Sequence, residues 1–138
     1  VFHFAQGSIT VDGSSVANIK DFTLTVDNVL KTDRYNLGSA GIKQEQLING
    51  FRKITGSVTA EFTDTTLLTK FLNDTSAALV LSFAGASSSA LSITLSAVKF
   101  DGEAPMVAGP EVIDVNFTFE AYDNGTDQPL TIVYTPAV

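Results

Sequence analysis

The sequence contains no cysteine and no tryptophan, one methionine, four prolines and a single histidine, His3, among 138 residues. Without cysteine there is no disulfide framework, thiolate metal ligand or thiol nucleophile, and a histidine-based triad would depend on the lone imidazole of His3 near the start of the chain. Basic residues are also scarce: 8 Lys and Arg stand against 15 Asp and Glu, for a formal net charge of −7 and a pI of about 4.4. Little cationic surface is left to neutralise phosphates, the interaction that dominates nucleic-acid affinity, so tight nucleic-acid binding is not expected. No apolar run approaches the ~20 residues of a membrane-spanning helix. Residues Val1 to Ala5 lack the charged and apolar regions of a secretory leader, so export is not expected either. A hydrophobic content of 44% with 17% charged residues is that of a folded chain rather than an acidic tail. The length suits one self-sufficient core, and a single domain over residues 1–138 is expected.

What the chain has in abundance is period-two alternation, the signature of half-buried strands. Phe22, Leu24 and Val26 alternate with Asp21, Thr23, Thr25 and Asp27 in a strand from Ile19 to about Leu30. Ile54, Gly56, Val58, Ala60 and Phe62 alternate with Lys53, Thr55, Ser57, Thr59 and Glu61. Ile113, Val115, Phe117, Phe119 and Ala121 alternate with Asp114, Asn116, Thr118 and Glu120. Shorter strands are expected at Ser8 to Val11, before an Asp12-Gly13 turn, at Leu79 to Phe83 and Leu91 to Phe100 around a small-residue loop, and at Leu130 to Thr135 after an Asn124-Gly125 hairpin turn. In Leu91 to Phe100 the apolar set changes phase, from Leu91, Ile93 and Leu95 to Val98 and Phe100, which predicts a β-bulge near Ala97.

Two segments break the pattern. Leu67, Leu68, Phe71 and Leu72 share a helical face, predicting one short amphipathic helix at about 65–74, with Asp64 as N-cap, lying over a sheet. The fold class is therefore mainly β, an antiparallel two-sheet sandwich or barrel-like arrangement with one short helix. Residues 31–50 show neither period, and a structureless stretch beyond about 12–15 residues usually has a function. This long loop and its flank hold five of the eight basic residues (Lys31, Arg34, Lys43, Arg52 and Lys53), whereas Asp101 to Asp127 holds acidic residues and no basic one. A basic arm and an acidic body suit recognition between neighbouring copies.

Signals for chemistry are weak. Asp123 to Asp127 places oxygen ligands around a glycine, but it lacks the complete calcium-loop spacing and the distal bidentate Glu, and Asn-Gly reads as a turn. Glu61 with Glu120, or Asp114 with Glu120, would make an acid–base pair only in a cleft with substrate contacts; on the wet face of a strand such carboxylates are usually just solvated. Asn-x-Thr triplets at Asn73, Asn116 and Asn124 are chance matches in a Thr-rich chain. Pro105, Met106 and Pro110 mark a rigid loop. No enzyme activity, cofactor or metal is expected.

The order of features is more telling. The run Ile19-Lys20-Asp21-Phe22-Thr23-Leu24-Thr25-Val26-Asp27-Asn28-Val29-Leu30 leads into a long glycine-containing loop. Gly50-Phe51-Arg52-Lys53-Ile54-Thr55-Gly56-Ser57-Val58-Thr59-Ala60-Glu61-Phe62-Thr63-Asp64 and a short helix ending near Phe71 follow. This order resembles the tail tube (major tail) proteins of tailed bacteriophages over most of the chain, with Val112 to Tyr122 agreeing in pattern only. The resemblance implies a virion structural subunit, assembled in the host cytoplasm into stacked, hexameric rings that form a hollow conduit for DNA ejection. The implied partners are the chain itself, other tail proteins at the tube ends, and DNA in transit without specific binding. The wet strand faces supply the candidate lumen residues: Asp21, Thr23, Thr25, Asp27, Ser57, Thr59, Glu61, Asp114, Asn116, Thr118 and Glu120. Lys31, Arg34, Tyr35, Leu37, Ile42, Lys43 and Leu47 are the candidate inter-subunit arm. The alternatives are a carbohydrate-binding or adhesion β-sandwich, disfavoured by the lack of tryptophan, and another surface or fibre subunit, disfavoured by the lack of an export signal.

Overall fold

A computed structural model describes residues 2–16, 18–45, 47–48, 50–62, 65–102 and 112–137. After a 3-10 turn at Phe4–Gln6 come β1 (Gly7–Val11), β2 (Ser14–Ser15), β3 (Ile19–Asp27), β4 (Leu30–Lys31), β5 (Leu47–Ile48) and β6 (Lys53–Glu61). Helix α1 (Thr66–Leu72) leads to β7 (Ala77–Ala84), β8 (Ala90–Gly102), β9 (Asp114–Ala121) and β10 (Thr131–Thr135).

The expected two layers are one sheet. Its strands run β2-β1-β7-β8-β9-β6-β3, with β10 also on β8 and every pair antiparallel. The long strand β8 joins the halves, pairing with β7 through Ala90 to Val98 and with β9 through Val98 to Gly102. Between Ala77↔Val98 and Leu79↔Leu95, β8 carries one residue more than β7, so the phase change read in the sequence is a β-bulge at Ser96–Ala97. Ala97 and Val98 are consequently both buried, which no unbroken alternation allows. Apolar residues of both halves then meet in one core, with Ile9, Val11, Leu79 and Leu95 on one side and Ile54, Val58, Val115, Phe117 and Phe119 on the other.

Helix α1 covers this core through buried Leu67 and through Phe71, whose ring centroid lies 5.9 Å from that of Phe117. Leu72, expected on the same face, is instead 67% exposed, because a seven-residue helix turns its last residue past the contact. The expected N-cap Asp64 lies outside the described residues; Thr65 occupies the N-cap position and makes no side-chain cap bond. Ion pairs tether the segment: Lys70 reaches Asp12 in the β1–β2 turn at 2.5 Å, and Asp74 beyond the helix accepts from Lys99 at 2.7 Å. Asp12 Oδ1 also accepts the Ala78 backbone N–H. The hydrogen bond from Lys70 is the main cause that holds the Asp12 carboxyl below its usual range.

Local chemistry accounts for the turns. Asp12 and Gly13 both adopt positive φ, as the expected two-residue hairpin requires. The Asn124-Gly125 turn does not make a hairpin: β9 and β10 both lie along β8, end to end, and do not pair with each other. Residues 122–130 are an excursion between them, anchored where Ser96 Oγ donates to the Gln128 carbonyl at 2.9 Å. The loop 103–111, including Pro105, Met106 and Pro110, lies outside the described residues.

Gly56 sits between Leu24 and Phe119 where the Phe119 ring stacks on Phe22, centroids 5.6 Å apart. A Cβ at Gly56 would collide with the Thr23 carbonyl oxygen and with the Phe119 ring. Gly56→Ala should therefore destabilise the fold by about 1–3 kcal/mol, the usual cost of overpacking, read as a lower urea midpoint. For Asp12, a depressed pKa means stabilisation that is complete above the unfolded carboxylate pKa of about 3.9 and lost as pH falls through the folded value. Asp12→Asn, which tolerates the same positive φ, should cost at most about 1 kcal/mol at pH 7, as expected of a partly solvated pair. In urea titrations the two proteins should converge as the pH falls below the folded Asp12 pKa.

Candidate functional site: an uncovered polar sheet face

In β3, β6, β9 and the second half of β8, register puts every alternate side chain on one face away from the core. Lys99 stands beside Glu120, Glu120 beside Thr55, and Thr55 beside Thr25. The next row runs Asp101, Thr118, Ser57, Thr23, and the one after it Asn116, Thr59, Asp21. Asp114 pairs with Glu61 at one end and Asp27 with Lys53 at the other. The structure thus brings every candidate lumen residue named from the sequence onto a single surface. It adds Lys53, Thr55, Lys99 and Asp101. Lys53 and Thr55 stand in the same alternation as Ser57; Lys99 and Asp101 were obscured by the phase change in β8.

Short polar side chains on this face bond to one another. Thr23 Oγ1 and Ser57 Oγ are 2.7 Å apart, and the Ser57 N–H donates to Thr23 Oγ1 at 3.0 Å. Register shifts between Ile19 and Asp21, and Lys20 in that irregularity reaches onto the face. It donates to Asp114 Oδ1 at 2.6 Å and lies 3.9 Å from Glu61. The hydrogen bond that Lys20 donates to Asp114 raises the Lys20 pKa, and the one that Lys99 donates to Asp74 raises the Lys99 pKa. The face therefore carries Lys20 and Lys99 as well as Lys53. Lys20 and Lys99 are each bound to a carboxylate, while Asp21, Asp27, Asp101 and Glu120 keep the balance acidic. Thr and Ser predominate between them.

The stretch 31–50 is a hairpin rather than a structureless loop, closed at its base by Leu30↔Ile48 and Lys31↔Leu47. Strands of two residues leave no period for sequence reading to detect. Arg34 holds the hairpin from within, donating to the Glu45 carbonyl and, at 3.3 Å, to Gln44 Oε1. Two of its guanidinium N–H groups thus serve the arm itself. At the tip Gly38, Ala40 and Gly41 all take positive φ, and the Ile42 N–H donates to the Ser39 carbonyl at 2.9 Å. Tyr35, Leu37 and Ile42 are exposed, Leu37 completely, and Lys31 and Lys43 are solvated.

The acidic stretch divides. Asp101, Asp114 and Glu120 belong to the polar face, Asp123 and Asp127 to the 122–130 excursion, and Glu103 and Glu111 lie outside the described residues. Asp123 Oδ1 accepts the Gly125 N–H and Asn124 Oδ1 accepts from Thr126 and Asp127, so these oxygens serve the turn. Among the described residues, no group of three or more His, Cys, Asp or Glu is placed to hold a metal ion, and no helix is long and apolar enough to cross a membrane.

An antiparallel β fold with one dry face, one broad polar face and open strand edges is the architecture of a wall-forming subunit. The sequence matches the family model for phage tail tube proteins over residues 1–121, and the chain belongs to that family. It is a structural subunit of a tail tube, a component of the tail of a phage-like particle. No curated protein matches it. Among solved structures it is similar to a chain of the sheath–tube complex of an extracellular contractile injection system in the extended state. There the TM-score is 0.67 at 7% identity, covering 98% of this chain and 93% of that one. It is similar also to a chain of the tube-terminating cap of the anti-feeding prophage, at TM-score 0.65, 11% identity and coverage of 98% and 92%. A chain from a gene transfer agent virion matches at TM-score 0.53, 11% identity and coverage of 99% and 100%. At these identities the likeness is one of fold.

Proposed function

We propose that the whole chain, residues 1–138, acts as one wall segment of a hexameric ring, that rings stack into a hollow tube, and that DNA passes through it. The observation that carries this reading is the continuous polar face of β3, β6, β9 and β8, which the subunit's own core and helix leave uncovered. Turned to a lumen, it offers DNA hydroxyls and a mild excess of carboxylates. Of its lysines, Lys20 and Lys99 are ion-paired and Lys53 stands beside Asp27 in the register, so phosphates meet weak repulsion rather than an adhesive track. DNA would slide without retention.

The exposed hairpin arm is the contact between copies or between rings. Its apolar tip, Tyr35, Leu37 and Ile42, and its solvated Lys31 and Lys43 suit a neighbour's acidic surface, with Asp123 and Asp127 as the exposed carboxylates of the 122–130 excursion. Other tail proteins complete the tube at its ends.

Electron microscopy of the purified chain tests the assembly: rings or hollow tubes are expected, and persistent monomers under all assembly conditions would refute it. Replacing residues 32–46 by a short turn across Lys31 and Leu47 should leave Tm within a few degrees and abolish polymerisation; normal tubes from that variant would remove the arm's role. Glu61→Lys with Glu120→Lys should permit assembly yet slow DNA ejection from particles carrying it. Unchanged ejection would show that lumen charge does not govern passage.

A further inference from the structure

The Asn124-Gly125 pair is left without the hairpin that such a dipeptide usually serves, since β9 and β10 do not pair with each other. Its neighbours are arranged as a reaction would need them. The Gly125 N–H donates to Asp123 Oδ1 at 2.7 Å, and Asn124 Oδ1 accepts from the N–H groups of Thr126 at 2.9 Å and Asp127 at 2.8 Å. All five residues from Asp123 to Asp127 are exposed. Gly125 takes φ +79°, and nothing lies within 4 Å of the place a Cβ would occupy. We propose that this turn is a self-modifying site, at which Asn124 loses its side-chain amide by closing a succinimide ring with the Gly125 nitrogen. The chemistry is local to one turn and independent of assembly.

Each contact matches a need of that step. A peptide nitrogen becomes a nucleophile only as its proton leaves, and the Asp123 carboxylate already accepts that N–H, the position of a general base. The carboxamide oxygen gains negative charge as the tetrahedral intermediate forms, and two backbone N–H donors already bond to it, the arrangement of an oxyanion hole. Those same bonds turn the carboxamide forward along the chain, toward the nitrogen that attacks it, so less conformational search remains than in a free peptide. Glycine sets no side chain against the approach. The step balances within the turn. The Gly125 nitrogen bonds to Asn124 Cγ as its proton passes to Asp123; the intermediate collapses by breaking the Cγ–Nδ2 bond, and that proton leaves with the departing nitrogen as ammonia. Water, which reaches the exposed turn, then opens the ring. Addition at Cγ gives aspartate, and addition at the Asn124 backbone carbonyl gives isoaspartate, with one more atom in the main chain. Either product places a new carboxylate between Asp123 and Asp127. Aspartate can still accept the Thr126 and Asp127 N–H groups, so that product keeps the turn, whereas isoaspartate alters its course.

Mass spectrometry reads the site directly. The full chain is held at neutral pH, sampled over weeks and cut after Glu120 by a glutamate-specific protease, which releases residues 121–138 with Asn124 as their only asparagine. The same peptide, incubated alone, gives the rate without the folded turn. The expected result is loss of the amide at Asn124 roughly 10-fold faster in the intact chain than in the free peptide, a modest share of the ~10²–10⁴ that a positioned base contributes in an enzyme. Isoaspartate should be found among the products by enzymatic methylation of the released peptide. Asp123→Asn and Asp123→Ser both keep an oxygen for the Gly125 N–H but remove the carboxylate. Each should bring the rate in the intact chain down to near that of the peptide. An Asn124 that reacts no faster in the intact chain than in the free peptide would overturn the proposal, because the hydrogen bonds would then lock the amide instead of activating it. Undiminished rates in both Asp123 variants would overturn it as well, since the carboxylate would have no part in the step.

Discussion

Every side-chain position on the sheet depends on strand register, because a slip of one residue exchanges the faces. The extra residue at Ser96–Ala97 is what allows one strand to satisfy two halves. Before it, β8 turns Leu91, Ile93 and Leu95 to the side shared with Leu81 and Leu79 of β7. After it, Val98 and Phe100 face the core beside Ala121 and Phe119 of β9. Without the bulge, the second half of β8 would present Lys99 and Asp101 to the core, where unpaired charges cannot be held. The same device opens the bare edge beyond Val98, since β7 stays with the first half. Core packing and the width of the polar face thus share one cause.

That face is built for balance rather than binding. Long acidic columns would repel one another across adjacent strands, and here the columns alternate with Thr, Ser and Asn, while Lys20 bridges toward Asp114 and Glu61 at one end. Hydroxyls satisfy each other, as Thr23 and Ser57 do. A broad, open depression lined by Thr23, Ser57, Lys99, Asp101 and Glu120 lies on the face, with no single sign of charge along it.

Much of this was legible from local pattern. The three long alternating runs, the phase change near Ala97, the short helix and the pool of polar residues all follow from side-chain period, and so does the order that resembles tail tube proteins. What was not legible depends on partners distant in sequence. Asn124-Gly125 carries a strong local hairpin signal, yet β9 and β10 each find β8 instead, and tertiary pairing overrides the turn. Leu72 shares the apolar code of Leu67 and Phe71, but the helix ends before it can reach the sheet. The pairing of Leu30–Lys31 with Leu47–Ile48 is too short to leave a period, and Arg34, read as a charge for a neighbour, spends itself on Glu45 and Gln44 of its own arm. Lys53, Thr55, Lys99 and Asp101 join the face only when registers are known.

The subunit is well packed inside and unfinished at its margins. Its core is covered by α1 and by aromatic contacts such as Phe22 on Phe119, while Ile9, Phe22, Leu81 and Phe83 line an open cleft between β1, β3 and β7. At the margins, the outer edge of β3 carries no strand among the described residues, and beyond Val98 the Gly102 N–H donates to Asp101 Oδ1 while the Asp101 carbonyl accepts from Thr118 Oγ1. The acidic composition is expressed on the polar face, where Thr and Ser stand between carboxylates and Lys20 and Lys99 are ion-paired.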